Sequence, residues 1–158
     1  MQTHLSLSQY EARCEGKNIF LRTLQPDDAS EEYASWLGDP VVNQYLETRS
    51  VTAAELRTYV QEKYESDETL FFGIFWKQDG KHIGNIKLES IDFDKGSAGI
   101  GILVGDQQYW GKGVATEATN LLTTYAFETL GLREIYLGVI ETNTPAVHVY
   151  EKCGFVRY

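Results

Sequence analysis

Residues 18–24, NIFLRTL, alternate apolar and polar positions and predict a strand, which Pro26 and Asp27 end. In DDASEEYASWLGD (residues 27–39), Ala29, Tyr33, Trp36 and Leu37 recur at helical spacing, with Gly38 near the end. A second helical stripe, Leu56, Tyr59, Val60 and Tyr64, runs through TAAELRTYVQEKYES (residues 52–66). Thr52 and Glu55 stand at the spacing of a capping box, each side chain satisfying a free backbone N–H.

Three strands are predicted next. TLFFGIFWKQ leads through Asp79-Gly80, a hairpin signal, into KHIGNIKLESID, and SAGIGILVG follows a turn at residues 94–96. Connections this short make an antiparallel meander. The period then changes. GVATEATNLLTTYAFETLG (residues 113–131) places Ala115, Ala118, Leu122, Tyr125, Ala126 and Thr129 on one helix face, and Gly131 closes it. EIYLGVIE (residues 134–141) predicts an apolar strand. TPAVHVYEKCG predicts a short helix with Thr144 as N-cap and Pro145 at its first position, and FVRY begins one more strand. The unit over residues 100–140 is a strand–helix–strand crossover, expected to be right-handed and parallel. The fold class is therefore α/β: a mixed sheet with helices on both faces, in one domain over residues 1–158.

Composition narrows the partners. With 158 residues and 42% hydrophobic content, the chain can bury a sizeable core. A net charge of -9 argues against nucleic acid, whose recognition rests on clustered Lys and Arg. It is compatible with a cationic ligand and equally with an ordinary soluble surface. Cys14 and Cys153 have no metal-binding spacing, so no metal is expected and both read as free thiols, Cys153 as a packed one. The absence of an apolar leader or a long apolar run predicts a cytoplasmic chain without a membrane partner.

The candidate chemistry sits where the third meander strand meets the long helix. Unpaired N–H groups at a helix start make an anion site, strengthened by the helix dipole. Gly111 and Gly113 remove obstructing side chains and permit positive φ, Lys112 adds a cation, and Gln108 adds an amide at the rim. The layout suits a pyrophosphate, and the spacing matches neither a P-loop nor a dinucleotide fingerprint. A glycine-rich turn made only for packing would read the same way.

Gln108-x-x-Gly111-x-Gly113 resembles the acyl-CoA pyrophosphate motif of the GNAT superfamily of N-acetyltransferases, and NTPAVHVYEKCGF (residues 143–155) resembles the same family's later signature. The forms YWGKGVATEA and YEKCGF are most similar to the RimJ/RimL-type branch. The resemblance implies acetyl-CoA as donor, with its pyrophosphate on the N–H groups of Tyr109, Trp110, Gly111, Lys112, Gly113, Val114 and Ala115, aided by Gln108 and by Lys152. It implies a pantetheine arm pairing with Ile102 and Val104, an oxyanion donor at the N–H near Leu103, and Asn143 bonding the pantetheine or the substrate. Tyr150 would protonate the leaving thiolate. The base is open: many relatives carry Glu in AEIG, where this chain has AGIG with Gly99. Glu89, Asp92, Glu141 or a water relay are the alternatives, Glu89 first.

The acceptor is expected to be a small-molecule amine. WLGDPVVNQYLETR (residues 36–49) resembles segments of relatives that acetylate amino sugars, so Trp36, Tyr45, Glu47 and Arg49 are expected to line a pocket for a nucleotide-linked amino sugar. A protein N-terminus, a polyamine or a non-catalytic acyl-CoA-binding role are the alternatives. The family's fold normally ends in a hairpin for which no residues follow FVRY. An open strand slot invites pairing, so a homodimer or a compromised acceptor site is expected.

Overall fold

The computed structural model describes residue 7 and residues 12–46 and 50–157. Six strands form one sheet in chain order: β1 (Arg13–Glu15), β2 (Ile19–Thr23), β3 (Leu70–Trp76), β4 (His82–Asp92), β5 (Ser97–Val104) and β6 (Glu134–Tyr136). The pairs from β1 to β5 are antiparallel, and β5–β6 is parallel. The short β1 was not legible in the sequence. It pairs with β2 and carries Cys14 against the core.

Strand β3 is apolar without alternation because both its faces are covered. Leu70, Phe72 and Ile74 pack under α3 (Val114–Glu128) together with Ile19, Leu21, Ile86 and Leu88. Phe71 turns to the other face, onto α1 (Glu31–Gly38) and α2 (Ala53–Glu65), where Leu24, Tyr33, Trp36, Leu56 and Val60 are buried. The expected capping box forms: Thr52 Oγ1 accepts from the Glu55 N–H, and Glu55 Oε1 accepts from the Thr52 N–H, each at 3.1 Å. Beneath α1, His82 is enclosed by Tyr33, Trp36 and Phe75 and bonded to Asn85 Oδ1 at 2.7 Å. Burial lowers its pKa and keeps it neutral.

Three expectations are corrected. The apolar run 134–141 is a strand only over Glu134–Tyr136, and Val139 and Ile140 are exposed instead of paired. The last helix, α4 (Thr144–Lys152), is capped by Asn143, whose Oδ1 accepts from the Ala146 N–H at 3.4 Å, so Thr144 is its first residue. Residues 155–157 form no strand. Among the described residues no helix is long and apolar enough to cross a membrane.

Candidate functional site

The sheet forks between β5 and β6. Their register runs Ser97 to Glu134, Ala98 to Ile135 and Gly99 to Tyr136, then stops, while β5 continues to Val104. The far half of β5 thus presents one edge with no strand beside it among the described residues.

Backbone direction on that edge follows from the ladder. Gly105 donates its N–H to the Ile83 carbonyl at 3.0 Å, opposite in register. Antiparallel alternation then turns the peptide groups of Gly101 and Leu103 toward β4, and those of Ile100, Ile102 and Val104 toward the fork. Two bonds agree. The Val104 carbonyl accepts from the Trp110 indole at 2.7 Å, and the Gly96 carbonyl accepts from the Arg133 N–H at 2.7 Å on the β6 side. The Leu103 N–H therefore faces β4, not the gap, which corrects its expected role. Its side chain packs with the α1–α2 cluster.

The loop after β5 is anchored at its start and open at its end. Asp106 is buried, accepts from the Gln108 N–H at 3.0 Å and pairs with Lys81 at 2.9 Å. Gln107 donates to Asp39 at 2.7 Å, tying the loop to the end of α1. The Tyr109 ring lies 5.0 Å from Trp76, and the Lys112 ammonium sits about 6 Å above both rings. Lys112 makes no ion pair among the described residues.

Gly111 and Gly113 both have φ of 77°. Gly113 is the left-handed N-cap of α3, and no side chain caps that helix. The N–H groups from Gly111 to Thr116 make no hydrogen bond within the described chain, so they form a row of free donors at a helix start. A Cβ added at Gly111 or Gly113 would meet nothing within 4 Å. What these glycines keep clear lies outside the protein.

On the other side of the fork, α4 is tied to the first turn of α3, where Cys153 Sγ lies 3.7 Å from the Thr116 carbonyl. Tyr150 is 8% exposed, its ring edge-on to Phe155 at 5.6 Å. Its hydroxyl makes no hydrogen bond within the described chain. Burial, with a smaller contribution from Cys153, pushes this phenol up to about 12, so it stays protonated through neutral pH. Lys152 is exposed and Asn143 half-buried. Burial likewise raises the Cys153 thiol, which makes it a poor nucleophile.

Of the three candidate bases, Asp92 accepts from the Lys95 N–H in the turn, and Glu141 is an exposed partner of Arg157 at 4.0 Å. Glu89 stands opposite Gly99 in register, and Gly99 stands opposite Tyr136, so the three share one row at the apex of the fork. The acceptor-side expectations divide. Trp36 is 5% exposed and walled in by Tyr33, His82 and Gly105, so it is a core residue and not a pocket wall. Tyr45 is at the rim, donating its hydroxyl to the Thr142 carbonyl at 3.2 Å. Glu47 and Arg49 lie outside the described residues. Lys87 and Tyr59, which sequence reasoning missed, stand beside Glu89. The alternation of Lys87 with Glu89 on one strand face was the available signal.

A strand-edge slot and an uncapped glycine loop meet at one fork, and the sequence profile described as Acetyltransferase (GNAT) domain matches residues 18–156. The chain belongs to the GNAT acetyltransferase family. This acetyltransferase is 36% identical over 152 residues to the probable N-acetyltransferase YjcK of Bacillus subtilis, covering 89% of this chain and 81% of that one. It is 40% identical to the spermidine N(1)-acetyltransferase of Vibrio cholerae over 75 residues, 48% of this chain and 43% of that one. The crystal structure of a Vibrio cholerae spermidine N-acetyltransferase in complex with CoA and spermine superposes with a TM-score of 0.80. The two are 28% identical, with 89% of this chain and 82% of that one covered. The chain is an N-acetyltransferase, and acetyl-CoA is the donor of its family.

Proposed function

We propose that the acetyltransferase holds acetyl-CoA along the open edge of β5, with the pyrophosphate on the Gly111–Ala115 donors, and passes the acetyl group to a primary amine at the apex of the fork. The observation that carries this reading is the end of β5–β6 pairing at Gly99, in the same row as Glu89. Three features suit a long, extended, anionic donor: the unpaired β5 edge, the free N–H row, and Lys112 without an ion-pair partner among the described residues. Ile102 and Val104 supply the edge groups, and Gln108, Tyr109, Trp110, Val114 and Lys152 line the approach. The forms YWGKGVATEA and YEKCGF support the RimJ/RimL-like branch.

Glu89 takes the proton that the acceptor ammonium must lose, directly or through a water. The neutral amine attacks the thioester carbonyl, whose oxygen is met by the outward N–H of Ile102 or Val104. The attacking nitrogen gives up its second proton to solvent, and collapse breaks the carbon–sulfur bond and releases CoA as thiolate. Tyr150 donates a hydrogen bond to that sulfur. A phenol near 12 holds its proton more tightly than a thiol, whose ordinary pKa is about 8.5. Tyr150 thus steadies the thiolate, and the proton that the sulfur finally carries comes from the amine by way of Glu89 or solvent.

The amino-sugar acceptor retains Tyr45 as its support, since Trp36 is buried. A polyamine acceptor is the second reading, favoured by the spermidine acetyltransferase relatives. Replacing Tyr150 by Phe tests the mechanism. Turnover should fall about ten- to a hundredfold, the loss of one hydrogen bond to a charged group worth about 1.5–3 kcal/mol. CoA affinity by calorimetry should change little. Equal losses in both would make Tyr150 a packing residue and overturn its role.

A further inference from the structure

On the α1–α2 face of the sheet, β5 carries no side chain at two alternate positions, Gly99 and Gly101. The space above them is bounded from β4. The Glu89 side chain lies over Gly99, its Cγ 3.5 Å from where a Cβ would stand. The stem of Lys87 lies over Gly101 at 3.6 Å. Lys87 Nζ is 3.1 Å from Glu89 Oε2 and 3.4 Å from the Tyr59 hydroxyl of α2. Tyr136 of β6 closes the end, its ring 3.3 Å from the same Gly99 position. The two side chains thus lie in a row over a glycine floor, a carboxylate at the apex of the fork and an ammonium two residues further along the strand.

Lys87 is only 25% exposed. A second ammonium, Lys63, stands 5.3 Å over the Tyr59 ring. Burial disfavours the Lys87 ammonium, but Tyr59 and Glu89 outweigh it and raise its pKa, so the charge is held beside Glu89. The pair also has a charge consequence for any amine that enters. An ammonium approaching the fork competes with Lys87 for Glu89. If the acceptor carries only positive charge, Lys87 is left facing a like charge. If it carries an anion on a short arm, the anion meets Lys87 as the ammonium meets Glu89, and all four charges are paired.

We infer that the Lys87–Glu89 pair selects acceptors that carry an anionic group, carboxylate or phosphate, close to the reacting amine, and that Lys87 is a specificity residue set against polycations. This rests on the placement of Glu89 at the reacting end. It deepens that reading by naming an acceptor class, and it separates this enzyme from its spermidine-acetylating relatives.

Thiol release from acetyl-CoA decides it, measured with free amino acids, phosphorylated amino sugars, their unphosphorylated counterparts and spermidine. The wild-type enzyme should prefer the anionic acceptors. The carboxylate and phosphate arms show which anion fits. In Lys87→Met, KM for the preferred acceptor should rise by about tenfold or more, the effect of losing one charge-assisted contact. The CoA Kd should hold, and Lys87→Arg should restore most of the KM. Lys87→Glu should shift the kcat/KM ratio toward spermidine. Wild-type preference for spermidine, or a ratio unmoved by Lys87→Glu in a folded protein, overturns the inference and leaves the transferase reading standing. CoA binding with no turnover on any amine overturns both.

Discussion

Gly111 and Gly113 in the loop, and Gly99 and Gly101 in β5, share a Gly-x-Gly spacing but give up their side chains for different neighbours. In the strand, an added Cβ would meet Tyr136, Glu89 or Lys87 at 3.3 to 3.6 Å, and neither glycine has positive φ. In the loop, both have φ of 77° and nothing of the protein lies within 4 Å. The strand glycines make room for the side chains of adjacent strands, and so shape a floor. The loop glycines take a left-handed backbone and face open space, where the proposed pyrophosphate would sit. A sequence motif of two glycines therefore carries no fixed meaning until the backbone angle and the neighbours are known.

Substitutions can break this comparison. Gly113→Asp should have the largest effect. It forces a left-handed non-glycine residue, costing about 1–2 kcal/mol, and sets a carboxylate against the anion site. CoA affinity should drop by roughly a hundredfold or more, ~2.8 kcal/mol, in calorimetry. Unchanged affinity would remove the pyrophosphate from this loop. Alanine at Gly111 tests backbone angle alone, since it adds no charge and meets no atom. About a tenfold loss of CoA affinity is expected, from strain of ~1–2 kcal/mol in the binding conformation. Gly101→Ala should act least and in the opposite direction on stability. Its Cβ finds ordinary contact with Lys87, and reduced freedom of the unfolded chain adds ~0.4–1 kcal/mol. Thermal melting should rise slightly and CoA affinity should hold, while the acceptor KM increases because the added methyl crowds the Lys87 stem. If Gly101→Ala weakened CoA as much as Gly111→Ala, the two glycine pairs would not be distinct.

Much of this was readable from residue order. The capping box at Thr52 and Glu55, the meander and the helix after Gly113 follow from period and turn chemistry, and both loop glycines take the positive φ that their position demanded. Long-range placement was not readable. Trp36 looks the same in a pocket wall and in a core, and only the packing of α1 on His82 and Gly105 decides between them. The apolar residues 137–140 have strand composition, yet the fork denies them a neighbour. Asn143 and Thr144 can each cap a helix, and the observed start of α4 selects Asn143. The pairing of Glu89 with Gly99 depends on the register of β4 on β5, which includes an irregularity between Glu89 and Asp92.

The bond from the Trp110 indole to the Val104 carbonyl joins the glycine loop to the end of the open strand edge at 2.7 Å. Asp106 and Lys81 brace the same corner. Anchor and slot are thereby parts of one strut, and the span between them is set by the fold. A ligand that grips the loop at one end and lies along β5 has its other end delivered to a fixed depth. With the donor bound as proposed, the corner would work as a gauge: a tether of one length would bring its reactive group to the apex beside Glu89, and shorter or longer tethers would stop elsewhere.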